Sequence, residues 1–352
     1  MSDATQPARA RALVRDYYGR ELRSTADLKT TACCAAGAPP EFLRARLANI
    51  HPDVENRFYG CGFPLPHALS EARVLDLGCG TGRDVYILAQ LVGPSGWVHG
   101  VDMTPEQLQV AERTLDWHVE RFGYSTPNVS FHHGYIEELE SLGFQANSLD
   151  VVVSNCVVNL SPRKDLVLEG AWRVLKPGGE FYFSDVVADR RLAEQVRTHP
   201  VLQAECLGGA LYHGDLLSLA RRAGFGDPRL VSSAPIAITD PELQRIAGAA
   251  TFESVTYRLF KLDDLDERCE DYGQVACYRG GIEGAEVVFW LDDHHAFEAG
   301  RPERVCGNTA RMLSETRLRP WFEITGSRAH HFGLFPCGST IAADGSNPSA
   351  CC

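Results

Sequence analysis

The sequence predicts an α/β fold, a mostly parallel sheet with helices on both faces, followed by a smaller α+β domain. Three observations predict it. First, the segment Val74-Leu-Asp-Leu-Gly-Cys-Gly-Thr-Gly-Arg-Asp84 is a short apolar run closed by Asp76, then three glycines at alternate positions, then a helix-like stretch. That reads as strand, glycine turn, helix, with unpaired N–H groups at the helix start. Second, strand-like and helix-like stretches alternate through residues 71–235, the pattern of a parallel sheet. Third, the alternation stops near Pro235, and residues 236–335 mix aromatics with short strand-like pieces.

The elements follow in chain order. Residues 9–23 place Leu13, Tyr17 and Leu22 at helical spacing, and a polar loop follows from Ser24 to Pro40. A second helix is expected over Pro40–Asn49, and a Gly/Pro-punctuated loop over Phe58–Pro66. Strands are expected at 73–77, 97–102, 128–132, 149–154 and 180–185, with helices near 83–92, 105–122 and 163–174. Pro177-Gly-Gly179 reads as a turn before the last of these strands. Asp215–Gly224 reads as a helix with an Asp N-cap and a C-terminal glycine. Glu286–Leu291 is strand-like, and the acidic run Asp263–Glu267 reads as a solvated turn. The expected divisions are N-terminal helices and cysteine loops (1–70), a ligand-binding α/β domain (71–235), a C-terminal α+β domain (236–337) and a flexible Gly/Ser/Ala/Pro-rich tail (338–352).

Composition narrows the function. The 352 residues are 44% hydrophobic and 23% charged, in the range of a globular protein. Forty-six acidic residues against 34 basic ones give a net charge of −12, which disfavours nucleic acid and anionic membrane surfaces as partners. The start of the chain has no apolar leader, and no run of 18 apolar residues occurs, so a cytoplasmic protein is expected. A monomer is expected as well. Twelve cysteines are many for such a protein, yet no C-x-x-C occurs, which argues against a zinc ribbon or a thioredoxin-like site. In a reducing compartment most are expected as thiols. The pairs His294-His295 and His330-His331 are expected at the surface, because adjacent strand residues point to opposite faces.

The glycine turn lacks the third glycine of a dinucleotide fingerprint, since that position is Arg83. With Asp76 in front, it resembles instead the first motif of class I methyltransferases, whose Rossmann-like domain binds S-adenosylmethionine. Twenty residues on, Trp97–Met103 reads as a second strand ending in Asp102, a carboxylate placed to accept from ribose hydroxyls.

The thiols point further. The strand 149–154 ends in Asn155-Cys156, at the ligand edge of such a sheet. Cys206 precedes two glycines, and Cys61 lies between Gly60 and Gly62. Each position also suits an ordinary buried cysteine. Thiols from separate loops beside a methyl donor suggest a soft acceptor such as trivalent arsenic.

The strings Asp27–Cys33, Arg57–Cys61, Ser154–Cys156 and Glu205–Tyr212, with Glu270–Gln274 and Tyr278–Ile282, resemble the arsenite S-adenosylmethionine methyltransferases over roughly residues 10–335. The resemblance implies an enzyme in which Cys156 and Cys206 hold arsenic through every methylation. Cys61 would be a third thiol, and Cys33 its partner, with Cys34 beside it leaving open which of the doublet acts. It implies cofactor contacts from Tyr59, Asp76, Gly78, Gly80, Asp102, Met103, Ile136, Glu137 and Asn155, with Glu137 accepting from the adenine amino group. It also implies an arsenical substrate and a thiol reductant, glutathione or thioredoxin, as co-substrate. Cys351 and Cys352 could capture arsenic from the tail or be inert. The rivals are a methyltransferase acting on carbon or oxygen of an organic molecule, and a thiol protein that binds arsenic without chemistry.

Overall fold

The computed structural model of the chain describes residues 5–18, Thr30 and residues 38–336. Helix α1 (Thr5–Asp16) ends in a π-helical turn at Tyr17 and Tyr18. Helices α2 (Glu41–Leu47) and α3 (Pro52–Glu55) follow. Pro52 opens α3, where its missing N–H costs nothing.

The central sheet then begins with β1 (Arg73–Leu77), α4 (Arg83–Val92), β2 (Trp97–Asp102), α5 (Pro105–Arg113), α6 (Leu115–Phe122) and β3 (Val129–His133). The chain crosses to the other side of β1 for β4 (Leu149–Asn155), α7 (Lys164–Val174) and β5 (Leu175–Ala188). These five strands are parallel, in the order β3-β2-β1-β4-β5. The direction of winding therefore reverses between β1 and β4, and a crevice opens beyond their carboxyl ends. β1 is apolar on both faces because both are covered. Val74 packs with Val98, Val151 and α4 on one side, while Leu75 and Leu77 pack with Val152, Phe181 and α7 on the other.

Short helices α8 (Glu194–Arg197) and α9 (Pro200–Ala204), strand β6 (Leu211–Tyr212) and α10 (His213–Arg222) lead to β7 (Arg229–Ile236), α11 (Pro241–Ala247) and β8 (Phe252–Phe260). β6 pairs with the end of β5, and β8 inserts antiparallel between β5 and β7. The central sheet thus continues past residue 235, where the alternation ends in sequence. An antiparallel closing strand needs no crossover helix, so the periodic signal is lost there.

Four local expectations need correction. The helix expected over 105–122 is two helices, broken where the Thr114 hydroxyl donates to the carbonyls of Val110 and Ala111 at 3.1 and 3.0 Å. α10 begins at His213, so Asp215 lies in its first turn and pairs with Arg191 instead of capping it. Pro177-Gly-Gly179 lies within β5, where the register to β4 shifts and Gly178 and Gly179 exchange 2.8 Å bonds with Lys261. In the acidic run, Asp263, Asp264 and Glu267 are exposed, but Asp266 pairs with Arg328 at 2.7 Å.

The remainder forms two small sheets around its own apolar core. β12 (Pro302–Val305), β9 (Gln274–Tyr278) and β13 (Phe322–Thr325) make one, and β10 (Val288–Trp290) with β11 (Ala296–Glu298) the other. Helix α12 (Gly307–Ser314) covers them. Buried ion pairs tie this part to the central sheet. Glu180 of β5 meets Arg258 of β8 at 2.6 Å and also Arg317, while Arg258 donates to the Leu291 carbonyl at 2.7 Å. Burial opposes ionisation of Glu180, but the two guanidinium groups hold its carboxyl below the ordinary range. Arg229 similarly joins Asp227 at 2.7 Å to Asp292 at 3.0 Å. No helix among the described residues is long and apolar enough to cross a membrane.

Candidate active site

The crevice at the winding reversal is an open cleft. Tyr59, Asp76, Gly78, Gly80, Asp102, Met103, Ile136, Glu137 and Asn155 all line it, and so does Cys156. The glycine turn is anchored to β2, because the amides of Gly78 and Cys79 both donate to the Val101 carbonyl. Gly78 has φ +74°, and a Cβ there would collide with Val157. Gly80 has φ +54° and faces open space, so the backbone itself borders the cleft.

Asp102 ends β2 and braces this turn. It accepts from the Gly80 amide at 2.9 Å and from the Thr104 amide at 2.8 Å. Burial pushes its carboxyl up, against the pull of those amides. Asp76 is buried beside it, and burial together with Asp84 and Asp102 raises its carboxyl well above the ordinary range. The nearby guanidinium of Arg83 is itself engaged, lying over the Phe58 ring and bonded to Asp84 at 3.0 Å. Elsewhere in the lining Glu137 accepts from Ser161 Oγ at 2.8 Å and lies 3.4 Å from Arg11 of α1.

Asn155 sits at the junction of the cleft and the thiols. Its Oδ1 accepts from the amides of Cys61 and Gly62 at 3.0 and 3.2 Å, and its Nδ2 donates to the Gly62 carbonyl and to Asp84. Cys61 is thereby fixed against Cys156, to which it is joined by a disulfide with a Cα–Cα distance of 5.7 Å. The Cys206 Sγ–H donates to the Cys156 carbonyl at 2.9 Å. Three thiol positions from distant segments therefore meet at one place. Cys156 and Cys206 both have left-handed backbones, φ +60° and +67°, a strain of about 1–3 kcal/mol each that non-glycine residues keep only when their surroundings impose it.

Two further residues adjoin the thiols. The Asp185 carboxylate lies with Cys156 Sγ and Cys206 Sγ in one group whose ligand atoms are all within 4.8 Å of one another. Burial pushes Asp185 up to about 6. Lys164 is close enough to Asp185 and Cys206 to feel both charges, and its Nζ donates to the Ser161 carbonyl at 2.9 Å. Asp185 closes the strand expected over 180–185, near the carboxyl end of β5, a position that could have flagged it. Lys164 sits in the charged run Arg163-Lys-Asp165, which reads as surface. Arg11, Tyr18 and Gln107 also line the cleft without any sequence signal.

Not every candidate gathers here. Cys33, Cys34, Cys351 and Cys352 lie outside the described residues. Cys79, which was not a candidate, is buried in the glycine turn and borders the cleft, and burial and the neighbouring carboxylates raise its thiol well above the ordinary range. Of the histidine pairs, His294, His330 and His331 are exposed. His295 departs from the surface expectation, being partly buried with its Nδ1 2.7 Å from Asp292 in the Arg229 cluster.

Comparison with known proteins agrees with this geometry. Residues 68–224 match the family model described as a methyltransferase domain. The chain is 58% identical to the arsenite methyltransferase of Aquipseudomonas alcaligenes, over 94% of this chain and 95% of that one. The chain belongs to the arsenite methyltransferase family. Its mammalian relatives include the arsenite methyltransferase of Homo sapiens, 45% identical over 94% of this chain and 85% of that one. The crystal structure of an arsenic(III) S-adenosylmethionine methyltransferase from Chlamydomonas reinhardtii superposes with a TM-score of 0.82 at 51% identity, covering 85% of this chain and all of that one. The chain is thus a methyltransferase of the class I, Rossmann-like fold, as its glycine turn implies.

Proposed function

We propose that this arsenite methyltransferase relative methylates thiol-bound trivalent arsenic with S-adenosylmethionine. The observation that carries the reading is the convergence of Cys61, Cys156 and Cys206, with Cys156 in the wall of the cleft. An organic acceptor would leave that convergence without a role, and a binding protein would leave the cleft without one.

The cleft suits the cofactor. Its glycine turn lets a ligand reach the backbone, and Asp102 and Glu137 offer acceptor oxygens in its lining. S-adenosylmethionine supplies, when bound, an electrophilic methyl group on a positively charged sulfur, and the arsenic lone pair is the nucleophile that takes it. Tyr59, Asp76, Gly78, Gly80, Asp102, Met103, Ile136, Glu137 and Asn155 are assigned to cofactor binding. Cys61, Cys156 and Cys206 are assigned to arsenic as thiolates, once a thiol reductant has opened the Cys61–Cys156 disulfide. Holding the arsenic at a fixed approach to the cleft supplies orientation, worth on the order of 7–11 kcal/mol where alignment is good.

Methyl transfer leaves a cationic pentavalent arsenic bearing the methyl and three thiolates. Attack by the Cys33 thiolate on the Cys61 sulfur forms a Cys33–Cys61 disulfide, breaks the Cys61–arsenic bond and leaves its electron pair on arsenic. Neutral trivalent methylarsenic then remains on Cys156 and Cys206. Glutathione or thioredoxin reduces the disulfide for the next turnover. Thr30 bridges Ile238, which packs against the cluster containing Cys61, Cys156 and Cys206.

The test is a product-resolved assay with S-adenosylmethionine, excess thiol, and either arsenite or a panel of organic acceptors. Methylated arsenic with stoichiometric S-adenosylhomocysteine is expected. Turnover on an organic acceptor and none on arsenite would overturn the reading.

A further inference from the structure

Helix α1 touches both halves of the site. Arg11, Val14 and Tyr18 stand at i, i+3 and i+7, on one face, and all three line the cleft. At the cleft end, Arg11 Nη2 lies 3.4 Å from Glu137 and 3.2 Å from Glu138, and its guanidinium sits 4.0 Å over the Tyr135 ring. At the thiol end, the Tyr17 hydroxyl donates to Glu205 Oε1 at 2.8 Å in a buried contact, and the Tyr18 hydroxyl donates to the Ala204 carbonyl at 3.0 Å. Gln107 Nε2 of α5 donates to the Tyr18 carbonyl at 2.9 Å. Glu205 is the residue before Cys206, whose left-handed backbone is held by its surroundings.

We infer that α1 is a strap coupling cofactor occupancy to the placement of Cys206, with Tyr17 as its positioning residue. A helix is stiff along its axis, and the six residue steps from Arg11 to Tyr17 span about 9 Å. A ligand that orders the wall at Glu137 therefore orders Arg11, and through α1 it orders Tyr17 and the Glu205 carboxylate. The α9 loop carrying Cys206 follows. The Tyr17–Glu205 bond joins segments 188 residues apart, and the π-helical turn at Tyr17 and Tyr18 aims both rings at that loop. Because each ligand orders part of the strap, the second to bind finds less left to order, which is positive coupling. The inference rests on the assignment of the cleft to the cofactor and of Cys206 to arsenic.

The experiment is calorimetric titration of the full-length, reduced chain with arsenite at a fixed glutathione concentration, with and without saturating S-adenosylhomocysteine. The wild type is expected to bind arsenite at least about five-fold more tightly when the cofactor product is present, and linkage requires arsenite to raise S-adenosylhomocysteine affinity by the same factor. Tyr17→Phe keeps the ring and removes the hydroxyl. Its coupling is expected to fall below about two-fold while its affinity for S-adenosylhomocysteine alone stays within about two-fold of wild type. Equal arsenite affinity with and without S-adenosylhomocysteine in the wild type overturns the inference, whether or not the variant folds. Undiminished coupling in Tyr17→Phe overturns it as well. Formation of methylated arsenic by the wild type is a separate readout, so loss of coupling and loss of the proposed activity are distinguished.

Discussion

The Asn155 side chain accepts a hydrogen bond from the Cys61 amide at 3.0 Å, so one residue of the cleft lining fixes a residue of the thiol group. The same amide group reaches Gly62 and Asp84, and the Cys61 carbonyl is held from the far side by Ser254 Oγ at 3.0 Å. Asn155→Ala is expected to loosen the Cys61 loop by about 1–2 kcal/mol, the worth of the lost bonds. In the reduced protein, alkylation of Cys61 followed by mass spectrometry should then run about ten-fold faster, with Cys206 little changed. An unchanged rate at Cys61 would mean the loop is held by other contacts.

Asp102 lines the cleft and braces the glycine turn at Gly80. Asp102→Ala should weaken S-adenosylhomocysteine binding by about 1.5–3 kcal/mol, the range for a charged hydrogen-bond partner. Arsenite binding at the thiols without cofactor should survive. Calorimetry on each ligand alone checks both halves of this expectation.

Asp185 gives a signed pH dependence. Its carboxyl is pushed up to about 6 by burial, whereas an unfolded chain releases that proton near 3.9. Between these values the folded state holds a proton that unfolding releases, so stability falls as pH rises through the window. The contribution is fully present below about pH 4 and lost above about pH 6, about 3 kcal/mol at most. Asp185→Asn should lose less stability than the wild type between pH 4 and pH 7 in urea unfolding with thiol present. Parallel curves for the two proteins would exclude this linkage.

Glu180 anchors the C-terminal part to the central sheet through Arg258 and Arg317. Glu180→Gln leaves two buried guanidinium groups without their counter-charge. A loss of about 3–5 kcal/mol is expected, measured as a lowered denaturation midpoint.

Much of this arrangement was legible in the sequence because it is local. The glycine turn, Asp102 at the end of β2 and Asn155-Cys156 at the end of β4 each follow from a strand pattern read over a few residues. β8 was missed because an antiparallel closing strand leaves no alternating signal. Arg11, Tyr17, Gln107 and Lys164 were missed for a different reason. Their partners lie far along the chain, as Glu205 does from Tyr17, and nothing in a single helix or charged run reports such a contact. Thr114 shows the limit at short range, since one hydroxyl turned back on its own helix is enough to divide it.

The central claim is that three thiolates hold inorganic arsenite and two hold its methylated product. Arsenite offers three exchangeable positions, whereas methylarsenite has one blocked by carbon. The decisive measurement is the initial rate of Cys61→Ser, Cys156→Ser and Cys206→Ser on each arsenical, with S-adenosylmethionine and excess thiol. Serine's hydroxyl is a hard donor and a poor partner for arsenic. Cys156→Ser and Cys206→Ser should lose both activities, and Cys61→Ser should lose arsenite methylation while keeping appreciable methylation of methylarsenite. Cys33→Ser should follow Cys61→Ser if its thiol closes the disulfide, unless Cys34 substitutes. Equal losses on both substrates for Cys61→Ser would contradict the account.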